Sequence, residues 1–485
     1  MDKQTSGVRV RFAPSPTGYL HLGGARTALY DWLFARKMNG TFILRIEDTD
    51  RSRLVPDSVD DLLEGMKWLG IEPDQGPFFQ SERREIYRAR AMDLLSAGAA
   101  YRCFCTSERL GAVREERKKA GLRQGYDRQC RGLSDQEVAE RMEAGQGHVI
   151  RLKMPLSGST SFVDELRGKI VYDNAELEDI VLLKSDGWPT YHLANVVDDH
   201  DMGITHIMRA DEWLPSVPYH VVMYAAFGWE PPIFVHLPVI LSPDGRGKMS
   251  KRYGAFAVKE VRAAGFLPEA VVNYLALLGW SPGDNREIMT LPEMVEAFSL
   301  SSLSRRGAVF DHEKLRWMNG EYIRSLPEDD LFQRVLPFFR AAGITDEPAI
   351  RKVVRLYQDR AKTLADFVQL SSYLFAEPDS YDPQGVAKHF SPEVAHRLLQ
   401  LADRLEALPG WSEAGIEGVV RSLAEEMGLG AGKLIHPTRL AISGTTVGPG
   451  LFALMEAMGP EACISRIRKA AGWIAENFRK EEARQ

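Results

Sequence analysis

The chain of 485 residues carries 61 Lys and Arg against 67 Asp and Glu, a formal charge of −6, which excludes a protein that holds nucleic acid by bulk positive charge. Its length exceeds the roughly 250–300 residues at which a single core stops growing, so two or three domains are expected. With 44% apolar, 26% charged and 9% aromatic residues it is neither disordered nor fibrous.

Met1 to Val10 lacks the apolar core of a signal peptide, and no stretch reaches the ~18 apolar residues of a membrane span, so a cytoplasmic protein is expected. Val8 to Phe12 alternates as a short strand, and Ala13-Pro14-Ser15-Pro16-Thr17-Gly18 can continue neither a strand nor a helix. From His21 to Met38 the residues Leu22, Ala25, Leu29, Trp32, Leu33 and Phe34 recur at helical spacing, with Asn39-Gly40 as the stop. Thr41 to Ile46 reads as a buried strand. This βαβ unit predicts a parallel sheet with a ligand crevice at the strands' carboxyl ends. Amphipathic segments follow near 57–69 and 82–97. Between Tyr101 and Asp186 the pattern changes to short strands with Gly and Pro turns, which we read as an insertion. Helical period resumes at Tyr191, strands are expected at His206–Met208 and Phe234–Leu241, and beyond Pro327 the chain, including 347–374 and 391–407, is helical in period.

Two constellations carry chemistry. Pro14 to Gly24 puts His21 and the glycines Gly23 and Gly24 at a helix start directly after the first strand. Free N–H groups and the helix dipole attract phosphate there, and an imidazole can donate to a phosphoryl oxygen. Alone, such a turn is common. The second, Gly245-Arg246-Gly247-Lys248-Met249-Ser250-Lys251-Arg252, places four cations and a hydroxyl on a Gly-rich loop, which suits a leaving pyrophosphate. Lys-Met-Ser-Lys arises by chance on the order of once per 10⁵ positions, which disfavours plain solvated surface.

Together these stretches resemble the signatures of the class I aminoacyl-tRNA synthetases. His21-Leu22-Gly23-Gly24 lacks the usual second His and is similar to the form of bacterial-type glutamyl-tRNA synthetases. The same family is matched by Arg11-Phe12-Ala13-Pro14-Ser15-Pro16-Thr17-Gly18, Arg45-Ile46-Glu47-Asp48-Thr49-Asp50, Tyr191 to His200, and Val309-Phe310-Asp311 with Lys314 to Gly320. The resemblance implies an α/β fold: a Rossmann-like catalytic domain over 1–100 and 187–245, an α+β acceptor-binding insertion over 101–186, a lysine-loop and stem-contact region over 246–326, and an all-α anticodon-binding module over 327–485. It implies ATP-dependent attachment of glutamate to tRNA(Glu) through an adenylate, with Mg²⁺ accompanying ATP, the 2′-hydroxyl as first acceptor, activation that needs bound tRNA, and a monomer.

An acidic substrate brings two carboxylates and an ammonium, so its pocket should offer guanidinium forks and an acid. Arg11 and Arg209 supply the forks and Glu47 the acid. The resemblance implies Arg11, Ala13, Ser15, Glu47, Tyr191, Asn195 and Arg209 at the glutamate site. For ATP it implies His21, Gly23, Gly24, Glu212 and Lys251, with Lys248 and Ser250 joining His21, Gly23 and Lys251 in catalysis. An amide offered to a buried Arg leaves the cation unpaired, so glutamine is rejected without editing.

Cys103, Cys105 and Cys130 crowd together in a manner that reads as a metal site before a disulfide framework. Some relatives have a His two residues past the third Cys, where Gly132 stands here. Synthetase-like paralogues use a Tyr spaced as Tyr126 is, so the resemblance implies structural zinc on Cys103, Cys105, Tyr126 and Cys130. The competing reading is three free thiols. Glu108 to Arg131 holds eight cations against four acids and is expected to meet tRNA phosphates; Ile464 to Gln485, six against three, reads as a solvated face. Gln358 falls where relatives specific for tRNA(Glu) tend to carry an Arg that reads the third anticodon base. An amide both donates and accepts, so an alternative is a non-discriminating enzyme that also charges tRNA(Gln). A nucleotidylyltransferase would leave the insertion and the helical third unexplained, and an idle tRNA-binding protein should have lost Lys248, Ser250 and Lys251.

Overall fold

The structure is a computed structural model that describes residues 7–121, 125–249 and 257–482. Two compact units emerge, residues 1–263 with 268–315, and residues 264–267 with 316–485. The boundary falls inside the region expected over 246–326.

In the first unit, β1 (Arg9–Phe12), α1 (Leu22–Lys37) and β2 (Thr41–Ile46) form where the periodicity puts them. The α1 stripe of Leu22, Ala25, Leu29 and Leu33 is fully buried, which is what holds a helix against a sheet. β1 and β2 are parallel with Arg11 opposite Ile43, and β3 (Gln75–Phe79) extends the sheet beyond β2. α2 (Ser58–Leu69) and α3 (Arg84–Ser96) match the two amphipathic segments.

The insertion is smaller than the sequence suggests. β4 (Ala100–Cys103), β5 (Val149–Leu152) and β8 (Val181–Leu183) make a separate antiparallel sheet, accompanied by α4 (Ser107–Lys119) and α5 (Asp135–Glu143), neither of which buries a residue. The hairpin of β6 (Ser159–Asp164) and β7 (Gly168–Asp173) instead joins the sheet of β9 (His206–Ala210) and β10 (Ile233–Leu237), in the order β7-β6-β10-β9. The cause is packing. β6 alternates strictly, burying Thr160, Phe162 and Asp164, and Phe162 packs with Ile207, Val217 and Phe234. β9 reaches β1 through Thr205: Arg9 N–H donates to its Oγ1 at 2.9 Å, and its own N–H donates to Arg9 O at 2.9 Å. α6 (Tyr191–Asp201) and α7 (Val217–Phe227) complete the elements that frame the cleft.

The second unit is helical, with no strand among its described residues. The periodic run expected over 347–374 is two helices, Glu347–Tyr357 and Leu364–Phe375, because Thr363 and Asp366 form a capping box that starts the second. The long helix Pro460–Glu482 packs along Pro392–Glu406.

Candidate functional site

At the carboxyl ends of β1, β2 and β9 a buried charge cluster assembles. Arg11 donates from Nε to Asp199 Oδ1 at 3.0 Å and from Nη1 to Met208 O at 3.4 Å, while Arg45 donates from Nη1 to the same Asp199 oxygen at 2.7 Å and from Nη2 to Glu47 Oε1 at 3.3 Å. Asn195, its amide oriented by its partners, donates to Asp199 Oδ2 at 3.2 Å and accepts from Arg45 Nη2 at 3.0 Å. Burial works against the charge of Asp199, but Arg11 and Arg45 outweigh it and hold its carboxyl below the ordinary range. Glu47 shares Arg45 with others, and burial pushes its carboxyl up. Glu47 N–H donates to Pro14 O at 3.0 Å, which ties the loop bearing half-buried Ala13 and exposed Ser15 to the end of β2.

On β9, Arg209 donates from Nη1 to Tyr191 Oη at 2.5 Å, and its Nη2 is buried with no hydrogen-bond partner among the described residues. Tyr191 in turn lies 4.4 Å from the ring of Trp213. Sequence reasoning assigned no role to Arg45, Asp198 or Asp199. An Arg within the apolar run Phe42-Ile43-Leu44-Arg45-Ile46 was the signal, because a cation in a buried strand needs acids waiting for it. Asp198 meets that need partly and also binds Gln80, Arg83 and Tyr87.

At the other part of the cleft, His21 of the first signature feels the charge of Lys248 from the second. His21 caps α1, accepting Gly24 N–H on Nδ1 at 2.9 Å, and pairs as a bridge with Ala257. A Cβ on Gly23 would stand 3.1 Å from that Nδ1, which explains glycine there. Lys248 Nζ lies 2.7 Å from Glu212 Oε2. Desolvation in the cleft, and then the charge of Lys248, push the His21 imidazole down. Ser250 and Lys251 lie outside the described residues.

The family described as "tRNA synthetases class I (E and Q), catalytic domain" matches residues 7–317, and "Anticodon binding domain" matches residues 330–471. The chain is 46% identical to a glutamate–tRNA ligase of Moorella thermoacetica, over 97% of this chain and 99% of that one, and 47% identical to one of Desulforudis audaxviator, over 97% of each. A crystal structure of a glutamate–tRNA ligase from Elizabethkingia meningosepticum, in complex with its amino acid, superposes with a TM-score of 0.89 at 39% identity, over 96% of this chain and 99% of that one. The chain belongs to the glutamate–tRNA ligases. The Rossmann-like class I catalytic domain followed by a helical anticodon-binding domain is therefore the architecture of this ligase family.

In this ligase the insertion carries the cysteine cluster. Cys103, Cys105 and Cys130 place their sulfurs within 4.8 Å of one another, with Cys105 and Cys130 at 3.6 Å. Tyr126 Oη stands 3.2 Å from Cys103 Sγ and 3.7 Å from Cys105 Sγ. A tetrahedral zinc with bonds of about 2.0–2.3 Å needs donor separations of roughly 3.3–3.8 Å, close to the 3.2, 3.6 and 3.7 Å of these three contacts. Arg109 Nη1 lies 3.3 Å from Cys105 Sγ and Arg151 stands 3.9 Å above the Tyr126 ring, yet burial pushes the Cys105 thiol up to about 11 and the Tyr126 hydroxyl up as well, so a bound cation would have to supply the charge that ionises them. Of the cations expected to face RNA, Arg109 pairs with Asp127, and Arg128 and Arg131 with Asp179. Arg114, Lys118 and Lys119 are exposed on α4 and make no ion pair among the described residues.

In the helical unit Gln358, the residue expected to read an anticodon base, is half-buried. Its Nε2 donates to Ile323 O, Arg324 O and Leu326 O at 3.1, 3.3 and 2.8 Å, so it closes the end of the helix that stops at Ser325. Those carbonyls belong to a segment over thirty residues upstream, which no local pattern reveals. Nearby a cavity of about 730 Å³ is lined by Tyr357, Arg360, Tyr373, Ser443, Thr445 and Val447 among others. Arg439 does not line the cavity, but its Nη1 is buried without a hydrogen-bond partner among the described residues, and a Cβ on the lining residue Gly448 would come within 2.9 Å of it. The terminal helix is less solvated than its composition suggests. Arg466 is buried and donates to Tyr373 O and Ile442 O, while Arg468 pairs with Asp403 and Glu406.

Proposed function

We propose that the cleft activates glutamate with ATP and passes it to tRNA(Glu), with Arg11, Ala13, Ser15, Glu47, Tyr191, Asn195 and Arg209 lining the amino-acid site. The observation that carries this reading is the pair of guanidiniums Arg11 and Arg209, 2% and 7% exposed, beside a buried acid. Two cations and one acid complement the two carboxylates and one ammonium of glutamate. Glutamine would leave a buried cation without its counter-charge, at a cost of several kcal/mol.

At the phosphate part, the first N–H groups of α1, with His21, Gly23, Gly24 and Glu212, bind ATP. Lys248, Ser250 and Lys251 meet the charge that develops on pyrophosphate. Glutamate's carboxylate attacks the α-phosphorus, pyrophosphate leaves, and the terminal 2′-hydroxyl of tRNA then attacks the activated carbonyl. Positioning and charge stabilisation carry the rate, with no protein nucleophile. Mg²⁺ would accompany ATP with few ligands from the protein.

The exposed cations of α4 support phosphate contact by the insertion, and the cavity beside Arg360 and Arg439 suits anticodon bases, which offer acceptors to guanidinium donors. Charging of tRNA(Gln) rested on Gln358 and loses that support with its amide engaged. The enzyme works as a monomer in the cytoplasm, where the translation enzymes it resembles act. Cys103, Cys105, Tyr126 and Cys130 hold one structural zinc that fixes the insertion. ATP–pyrophosphate exchange should require both glutamate and tRNA(Glu); exchange indifferent to both would overturn the reading. Elemental analysis should give one zinc per chain, lost in Cys130→Ser, and a clear deficit in the unaltered protein would leave three free thiols.

A further inference from the structure

Arg209 is held from behind by two residues that no motif marks. Asp164, His236 and Arg209 stand on the neighbouring strands β6, β10 and β9, with His236 directly opposite Arg209 in the ladder. All three are buried, at 1%, 0% and 7% exposure. Arg209 Nε lies 3.0 Å from His236 Nε2, and His236 Nδ1 lies 2.7 Å from Asp164 Oδ2. A guanidinium only donates, so Nε2 must accept; the imidazole proton is then on Nδ1, where the carboxylate receives it. Burial keeps the ring neutral, its pKa pushed down to about 4 although Asp164 pulls the other way.

Asp164 is itself fixed. Its Oδ2 also accepts His236 N–H at 3.0 Å, and its Oδ1 accepts Leu166 N–H and Arg167 N–H at 3.1 and 3.0 Å. The guanidinium is thus clamped at Nε by His236 and at Nη1 by Tyr191, which leaves the buried Nη2 for an incoming acceptor. A space-filling core histidine would need no particular tautomer. This one has its tautomer set from both sides.

We propose that Asp164 and His236 are positioning residues for glutamate recognition, holding Arg209 in one orientation so that Nη2 meets a substrate carboxylate. The proposal rests on the reading of Arg209 as a glutamate ligand. It also accounts for the β6–β7 hairpin lying in the sheet of β9 and β10, since only there does β6 bring a carboxylate behind the histidine.

The test is steady-state aminoacylation by the full chain with its tRNA, with KM measured separately for glutamate, ATP and tRNA. His236→Leu should raise the glutamate KM on the order of 10- to 100-fold, the scale of a misplacement near 1 Å, with the other two KM values nearly unchanged. His236→Gln, whose amide oxygen can accept from Nε, should recover most of the loss, and Asp164→Asn should fall between. In an Arg209→Ala background, His236→Leu should add nothing further. If Arg209→Ala leaves the glutamate KM unchanged, the glutamate-site reading fails. If Arg209→Ala raises it and His236→Leu does not, the site stands and the positioning role is overturned. Equal rises in all three KM values for His236→Leu, or no recovery with Gln, would likewise overturn it.

Discussion

Two ion pairs in the catalytic unit look alike on paper and differ in kind. Arg11 and Asp199 stand 3.0 Å apart with side chains 2% and 0% exposed, whereas Lys248 and Glu212 stand 2.7 Å apart at 55% and 47%. The shorter pair is the weaker. In water the attraction at such distances is about 1 kcal/mol and is offset by the entropy of two long side chains. In the interior the same charges must stay paired, because either one alone has no solvent to turn to. The buried pair therefore fixes geometry, which suits the amino-acid selection proposed for Arg11. The exposed pair can open and close again, which suits the polyphosphate handling proposed for Lys248.

Breaking the buried pair should have the largest effect. Arg11→Ala leaves Asp199 with Arg45 and the Asn195 amide and should cost about 3–5 kcal/mol of stability, read by urea unfolding, together with loss of glutamate-dependent pyrophosphate exchange. Near-normal exchange by that variant would erase the distinction between the pairs. Lys248→Ala comes next. It should lower kcat on the order of 10²–10³-fold while stability stays within about 0.5 kcal/mol, and a large fall in the unfolding midpoint would show that the exposed pair is structural after all.

The same contrast governs what could be read from the sequence. The burial of Arg11 and Arg209 near strand ends matches the place expected for them, since a cation at the end of a strand faces the crevice. β1, α1 and β2 were legible because their periods are 2 and 3.6. Asp199 and Arg45 had no assigned role, since their meaning is a contact between residues 154 positions apart. Asp164 and His236 were hidden further, because the hairpin carrying Asp164 was read as insertion until its buried face met β10. Gln358 shows the converse limit: its Nε2 is held by carbonyls more than thirty residues away, a contact its place along the helix does not reveal.

Acidity gives a third way to sharpen the comparison. Glu47 and Asp199 share Arg45, yet burial raises the carboxyl of Glu47 while the two arginines depress that of Asp199. A depressed carboxyl contributes stability above its unfolded value, near 3.8, that is lost as pH falls through the folded value. A raised one does the reverse: it stabilises below its unfolded value, near 4.5, and that contribution is lost as pH rises through the folded value. Only ionised Glu47 can take an ammonium. The glutamate KM should therefore rise on acidification beginning above pH 4.5, with the ATP KM steady, and Glu47→Gln should raise the KM at neutral pH and remove the dependence.

The smallest effect is expected from Glu212→Gln. Both members of its pair are about half exposed, so stability should move by less than about 0.5 kcal/mol. Lys248 then loses a competitor for phosphate, and the ATP KM should shift by no more than about threefold. Salt distinguishes this from the buried pair. Raising ionic strength from about 0.1 to 1 M shortens the screening length from roughly 10 to 3 Å, so the difference between Glu212→Gln and the unaltered protein should vanish. Asp199→Asn, measured over the same range, should keep its full deficit, because ions that cannot enter the core cannot replace the carboxylate Arg11 and Arg45 have lost. A deficit for Asp199→Asn that fades with salt would mean that solvent reaches that pair, and the two ends of the cleft would then work by one rule instead of two.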